Sequence, residues 1–126
     1  MLFKIDTREK FYVIKIEEID LSANLADDFT ELLTNCLDTM PKNSIINLNK
    51  VDTISTEIIQ QLVSFQEFSV ENNISLVFCG LTKGVKSILS NQNLLDIIHT
   101  TPTESEAVDM IYMEEMEREM WDGHEL

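Results

Sequence analysis

Ile74-Ser75-Leu76-Val77-Phe78-Cys79-Gly80-Leu81-Thr82-Lys83-Gly84-Val85-Lys86-Ser87-Ile88-Leu89 is the stretch on which the fold turns. Its first six residues form the most apolar run of the chain, with no charge among them. Such a run, bounded by a glycine, suits an interior strand covered on both faces. Gly80 breaks it. Val85, Ile88 and Leu89 then recur at helical spacing. A strand, a short turn and a helix in that order read as part of a β-α-β unit, which implies a parallel neighbour and a right-handed crossover.

Upstream, Ser55-Thr56-Glu57 opens a helix that places Ile58, Ile59, Leu62, Val63, Phe65 and Phe68 on its buried side, and Asn72-Asn73 ends it. Residues 44–48 precede it as a short strand, led out by Asn49 to Ile54. An earlier helix, capped by Asp20 or Ser22, carries Leu25, Phe29, Leu32, Leu33, Cys36, Leu37 and Met40 at 3-4 spacing. Pro41 forbids its continuation. Residues 2–6 and 11–16, joined by the polar Thr7-Arg8-Glu9-Lys10, predict an antiparallel hairpin. Downstream, Leu94-Leu95-Asp96-Ile97-Ile98 supplies a last short strand near Ile97-Ile98. Pro102 resets the chain, and Thr103 with Glu106 forms a capping box for a final helix. The expected fold is a single α/β domain. Its mixed sheet has roughly four or five strands, an N-terminal antiparallel hairpin followed by β-α-β units, with about four helices. Leu32, Leu48, Leu62, Val77 and Phe78 are expected in the core.

A length of 126 residues fits one domain. The 44% apolar and 25% charged content is ordinary for a globular protein. No apolar run approaches a membrane span. Met1 to Asp6 shows no signal-peptide pattern, so a cytoplasmic location is expected. There are 23 acids against 9 bases, a net charge of −14. Residues 104–126 hold nine of those acids and one base. This field repels phosphate backbones and anionic membrane surfaces and is compatible with a basic protein partner.

Catalytic signatures are missing. The only glycines are Gly80, Gly84 and Gly123, which excludes a dinucleotide fingerprint and a Walker A loop. There is no GxSxG elbow. His99 and His124 lie far apart, and Cys36 and Cys79 have neither CxxC spacing nor nearby histidines, so no metal site is expected. A disulfide between the two cysteines stays open on spacing alone; without a secretory signal, two buried thiols are expected. The chain is expected to be no enzyme and to need no cofactor.

Three stretches together resemble a STAS domain, the family of the bacterial anti-sigma factor antagonists. They are Ile46 to Ile54, Leu76 to Leu89, and Leu94 to Ile98 followed by Thr103 to Val108. The resemblance runs over about residues 3–113 and implies a non-enzymatic signalling module that docks a protein partner. That partner would be an anti-sigma factor of the kinase-like ATPase type. The family's switch is an Asp-Ser-Ser-Gly-type sequence at the start of the second helix, where the partner kinase phosphorylates a serine. Laid on this chain, it puts Ser55 at the aspartate, Thr56 at the first serine, Glu57 at the phosphorylated serine and Ile58 at the glycine. None of the four matches. Glu57 cannot accept phosphate, but an acid in a first helical turn meets the positive end of the dipole, as a phosphate would. Ser55 and Thr56 keep hydroxyls that suit helix capping.

The docking face implied is Lys50 to Ile54 with Ser55 to Ile59, and Gln60 and Gln61 exposed beside it. Ile58 is its candidate apolar contact; by periodicity it competes with Ile59 for the core. Other roles open to such a domain are an accessory subunit of a membrane transporter ATPase and a structural homodimer.

The expected domain spans 1–113, and residues 114–126 form an acidic, Met-rich extension of the last helix and a tail, loose beyond Trp121. Met113, Met116 and Met120 fall on one stripe, with Glu114, Glu117 and Arg118 on the opposite arc. Methionine adapts to varied surfaces, so the stripe is a candidate interaction site. Its contact is open between the chain's own domain, a second copy and a foreign partner.

Overall fold

The computed structural model describes the backbone of residues 1–124 and the side chains of residues 1–120. Strands β1 (Phe3–Thr7) and β2 (Tyr12–Ile16) form the antiparallel hairpin, and β3 (Asp20–Leu21) follows. A 3-10 turn (Ala23–Leu25) leads into α1 (Ala26–Asp38). Then come β4 (Ser44–Asn47), β5 (Thr53–Ile54), α2 (Thr56–Glu71), β6 (Leu76–Cys79), α3 (Lys83–Asn91), β7 (Thr100–Thr101) and α4 (Glu104–His124). The main sheet has the order β1-β2-β4-β6-β7, and every pairing after the hairpin is parallel. β3 and β5 make a separate two-stranded parallel sheet.

The strand alternation builds two cores. Tyr12, Ile14, Ile16, Ile46 and Phe78 face α1, α2 and α3, and join Phe29, Leu33, Ile58, Ile59, Leu62, Val85 and Leu89. Phe11, Val13, Ile45, Val77 and Cys79 face the other way, under Ala107 and Ile111 of α4. β4 and β6 are buried on both faces, which is why their sequences read as unbroken apolar runs. All five residues expected in the core are buried.

Buried polar groups tie the layers together. Asn43 donates to the Lys10 carbonyl at 3.1 Å and to Glu115 at 2.7 Å, and accepts from the Ser75 N–H at 2.9 Å. One amide thus joins the hairpin, the starts of β4 and β6, and α4. Gln66, inside α2, donates to the Leu76 carbonyl at 3.1 Å and accepts from the His99 N–H at 2.9 Å. It satisfies backbone groups that burial would otherwise leave unpaired.

Several expectations need correction. Neither Asp20 nor Ser22 caps α1: Asp20 pairs in β3, and Ser22 precedes the 3-10 turn without a side-chain capping bond. Met40 lies past the end of α1 at Asp38 and is exposed. The last strand lies at Thr100–Thr101, not at Ile97-Ile98. The N–H groups of Ile97 and Ile98 both turn back to the Leu94 carbonyl, and the ladder to β6 begins only where Phe78 meets Thr100. Leu94, Leu95 and Ile98 contribute to the core from a turn. Phe68 is exposed instead of buried. The final helix runs to His124, past Trp121 where a loose tail is expected; residues 125 and 126 lie outside the described residues.

Candidate functional site

The four residues at the start of α2 stand just past the carboxyl ends of β4 and β6, where open α/β sheets place their ligand crevices. The leading segment is stitched down throughout. Leu48 N–H donates to the Cys79 carbonyl, Asp52 N–H to the Ile19 carbonyl at 2.7 Å, and Ser55 N–H to the Leu21 carbonyl at 2.8 Å. Thr53 Oγ1 donates to Asp20 at 2.6 Å, and Thr82 Oγ1 to the Val51 carbonyl at 2.7 Å. Lys50 Nζ binds the Glu17 carboxylate, and this hydrogen bond holds Glu17 below the ordinary carboxylate range. Burial acts against the shift, and the charges of Lys50, Lys4 and Lys15 add to it.

Two glycines allow this closeness. Gly80 adopts φ +69°, a region that disfavours side chains, and a Cβ there would meet Asn47 Oδ1 and Asn49 Cβ, each at 3.1 Å. A Cβ on Gly84 would collide with the Asp52 carbonyl oxygen. The first turn of α3 is therefore pressed against the segment that feeds α2.

Ser55 is the N-cap of α2: its hydroxyl accepts from the Ile58 N–H at 3.3 Å. Thr56 and Glu57 are exposed in the first turn, as is Gln60 beyond them. Gln61 is half-buried instead of exposed, and its Oε1 is enclosed without a hydrogen-bond partner. Ile58 is not a surface contact. It is 0% exposed, and Ile59 is 2% exposed, so both enter the core. Both belong to the main core cluster, which also takes in Leu21 of β3 and Ile54 of β5, so neighbouring positions of the helix start are both covered. The exposed surface at the helix start is thus polar: Lys50, Asp52, Thr53, Thr56, Glu57 and Gln60.

Nothing in the sequence singled out Asn47, Thr82 or Gly84 as builders of this face. Asn47 is a polar residue inside an apolar strand, which was the available signal. Its side chain accepts from the Asn49 N–H at 2.9 Å and donates to Glu104 at 3.2 Å, linking the segment to α4.

The second candidate, Met113, Met116 and Met120, lies on the solvent side of α4, 61%, 61% and 72% exposed. The stripe does not pack on its own domain. Arg118 lies on the opposite, sheet-facing arc, where it donates to Ser75 Oγ at 3.1 Å and to Glu115 at 3.1 Å. Glu114 and Glu117 depart from the expected arc: both line the same shallow groove as Met113, with His99 and Asp109. Among the described residues, no cluster of His, Cys, Asp and Glu could hold a metal ion, and no helix is long and apolar enough to cross a membrane. Both cysteines are buried free thiols.

The chain thus combines a five-stranded mixed sheet, helices on both faces and a helix start beyond the parallel strands. The STAS domain model matches residues 3–107. The chain belongs to the STAS domain family. No curated protein matches it. Among solved structures it is similar to a candidate anti-sigma factor antagonist from Thermotoga maritima, with 18% identity and a TM-score of 0.75 over 87% of this chain and 94% of that one. It is also similar to a serine-to-glutamate variant of RsbS from Moorella thermoacetica, with 19% identity and a TM-score of 0.71 over 87% and 94%. A third is the anti-sigma factor antagonist SpoIIAA in its unphosphorylated form, with 12% identity and a TM-score of 0.71 over 88% and 96%. At these identities the likeness concerns the fold of the STAS domain.

Proposed function

We propose that this STAS protein is a non-enzymatic interaction module of bacterial signalling, working in the cytoplasm. It resembles an anti-sigma factor antagonist whose phosphoacceptor position is permanently filled by an acid. The observation that carries the reading is Glu57, exposed in the first turn of α2 on a face otherwise lined by polar side chains. An acid in the first turn meets the positive end of the helix dipole, where negative charge is favoured by roughly 0.3–1 kcal/mol. A phosphoserine would place about −1.5 to −2 charges in the same field. Ser55 does not replace the missing acceptor, since its hydroxyl is engaged as the helix cap.

The partner would be an anti-sigma factor of the kinase-like ATPase type. With Ile58 buried, contact would be made through hydrogen bonds and charge at Lys50, Asp52, Thr53, Thr56, Glu57 and Gln60. The test is calorimetric titration against the kinase-like ATPase encoded in the same genome, with intact-mass measurement of the protein recovered from its native cell. Binding that changes on Glu57→Ser, with no phosphate gained at Ser55 or Thr56, supports the reading. Stoichiometric phosphate on either hydroxyl would mean that the switch has moved by a residue or two, and would overturn it.

A further inference from the structure

The outer edge of the main sheet carries a self-complementary pattern. β1 pairs with β2 on one side and is the free edge on the other. The hairpin ladder fixes which of its groups are free. Glu17 N–H donates to the Leu2 carbonyl, and Arg8 N–H to the Phe11 carbonyl. Even-numbered residues of β1 therefore bond to β2, and Phe3, Ile5 and Thr7 direct their N–H and C=O groups outward. The side chains of Phe3 and Ile5 are 41% and 44% exposed, and they border an open groove of about 400 Å³ with Leu32 and Cys36 of α1. An edge with free backbone groups and uncovered apolar side chains is a template for strand pairing.

We propose that β1 pairs antiparallel with β1 of a second copy, about a two-fold axis through Ile5. In that register Ile5 faces Ile5 and Phe3 faces Thr7 as hydrogen-bonded pairs, using the outward groups of both strands. Lys4 of each copy then stands opposite Asp6 of the other, at the non-hydrogen-bonded positions where side chains come closest. Since only the odd-numbered residues offer free groups, the register moves in steps of two. One step either way sets Lys4 against Lys4, or Asp6 against Asp6, and like charges directly opposite are destabilising. The pattern selects one register and one occupant, a second copy of this chain. The present partners of these charges, Glu17 for Lys4 at 3.6 Å and Arg8 for Asp6 at 2.8 Å, are pairs with a well-exposed member that can be shared or exchanged. At 0.15 M salt the repulsion between two chains of net charge −14 is confined within about 8 Å, leaving the contact pairs to decide.

Sedimentation equilibrium over a concentration series, at that salt, tests the pairing. The expected result is a reversible dimer. Lys4→Glu or Asp6→Lys should each weaken it about tenfold, because symmetry repeats each clash. The exchange variant Lys4→Asp/Asp6→Lys should restore it. In the wild type, amide exchange at Phe3, Ile5 and Thr7 should slow as concentration rises, a readout that needs no variant. A protein monomeric at the highest concentration overturns the proposal. So does a dimer that neither single reversal weakens, or one that the exchange variant fails to restore while circular dichroism shows it folded.

Discussion

Replacing Ile58 by alanine separates a structural from a surface role at the start of α2. Its side chain is fully enclosed in the core shared by the sheet and the three helices. Truncating a buried isoleucine to alanine costs about 2–5 kcal/mol, the transfer loss plus the cavity left behind. Against a total stability of roughly 5–15 kcal/mol, that is a large share. Taking about 3 kcal/mol, and a urea m-value of about 1.5 kcal/mol/M, the midpoint should fall by about 2 M. Ile58→Gly adds about 1 kcal/mol of helix propensity. Glu57→Ser beside it removes only a first-turn charge, worth about 0.3–1 kcal/mol, or about half a molar of urea. The assay is urea unfolding of both single variants with partner affinity measured on the same samples. Stability should follow position 58 and affinity should follow position 57. An Ile58→Ala midpoint within about 0.5 M of wild type would refute the packing argument. Wild-type affinity in folded Glu57→Ser would remove this face from the docking hypothesis.

Gly84→Ala should destabilise by about 1–3 kcal/mol, since its Cβ would collide with the Asp52 carbonyl and the backbone must shift; urea unfolding checks it. Glu115 is held below its ordinary value of 4.5: burial opposes the shift, but the hydrogen bonds from Asn43 and Arg118 and the Arg118 and Lys10 charges outweigh it. A lowered folded value stabilises above the unfolded one and loses that contribution as pH falls through the folded one. Glu115→Gln should therefore narrow the loss of urea resistance seen on acidification from about pH 6 to about pH 3. Burial, with the Glu104 charge, pushes the Cys79 thiol up to about 11, and burial raises Cys36 as well. A disulfide-exchange reagent at pH 8 should label Cys79, which is fully enclosed, only at the rate of unfolding, and fast labelling of both thiols in the native protein would contradict that enclosure.

The parallel strands and long helices were legible because the signals that mark them are repeated along the chain. β4 and β6 are apolar on both faces, and α1 carries its buried residues at regular 3-4 spacing. The short elements were not. β7 is two threonines, and its strand character comes only from the Phe78–Cys79 ladder beside it. The β3–β5 sheet joins residues distant in sequence, through pairs that no local pattern encodes. At the candidate site, periodicity could not assign Ile58 and Ile59, because adjacent helical positions diverge by about 100° and a narrow apolar stripe would cover only one, whereas this core covers both. The roles of Glu115 and Arg118 were hidden for a related reason. In an acidic helix they look like solvent-facing charges, and only the fold shows Asn43 and Ser75 waiting under them.

The segment between β4 and α2 is tied by backbone bonds to β6 and to β3, held by the Thr82 hydroxyl at the cap of α3, and pinned by Gly84 on α3. A surface prepared in that way has little conformational freedom left to lose when something lands on it. It can reward a matching shape quickly, and it has no second loop geometry to offer a mismatched one. Discrimination between rival binders must then reside in which side chains the rigid frame displays. Swapping a residue at the rim should change the choice of binder without changing how fast the frame is found.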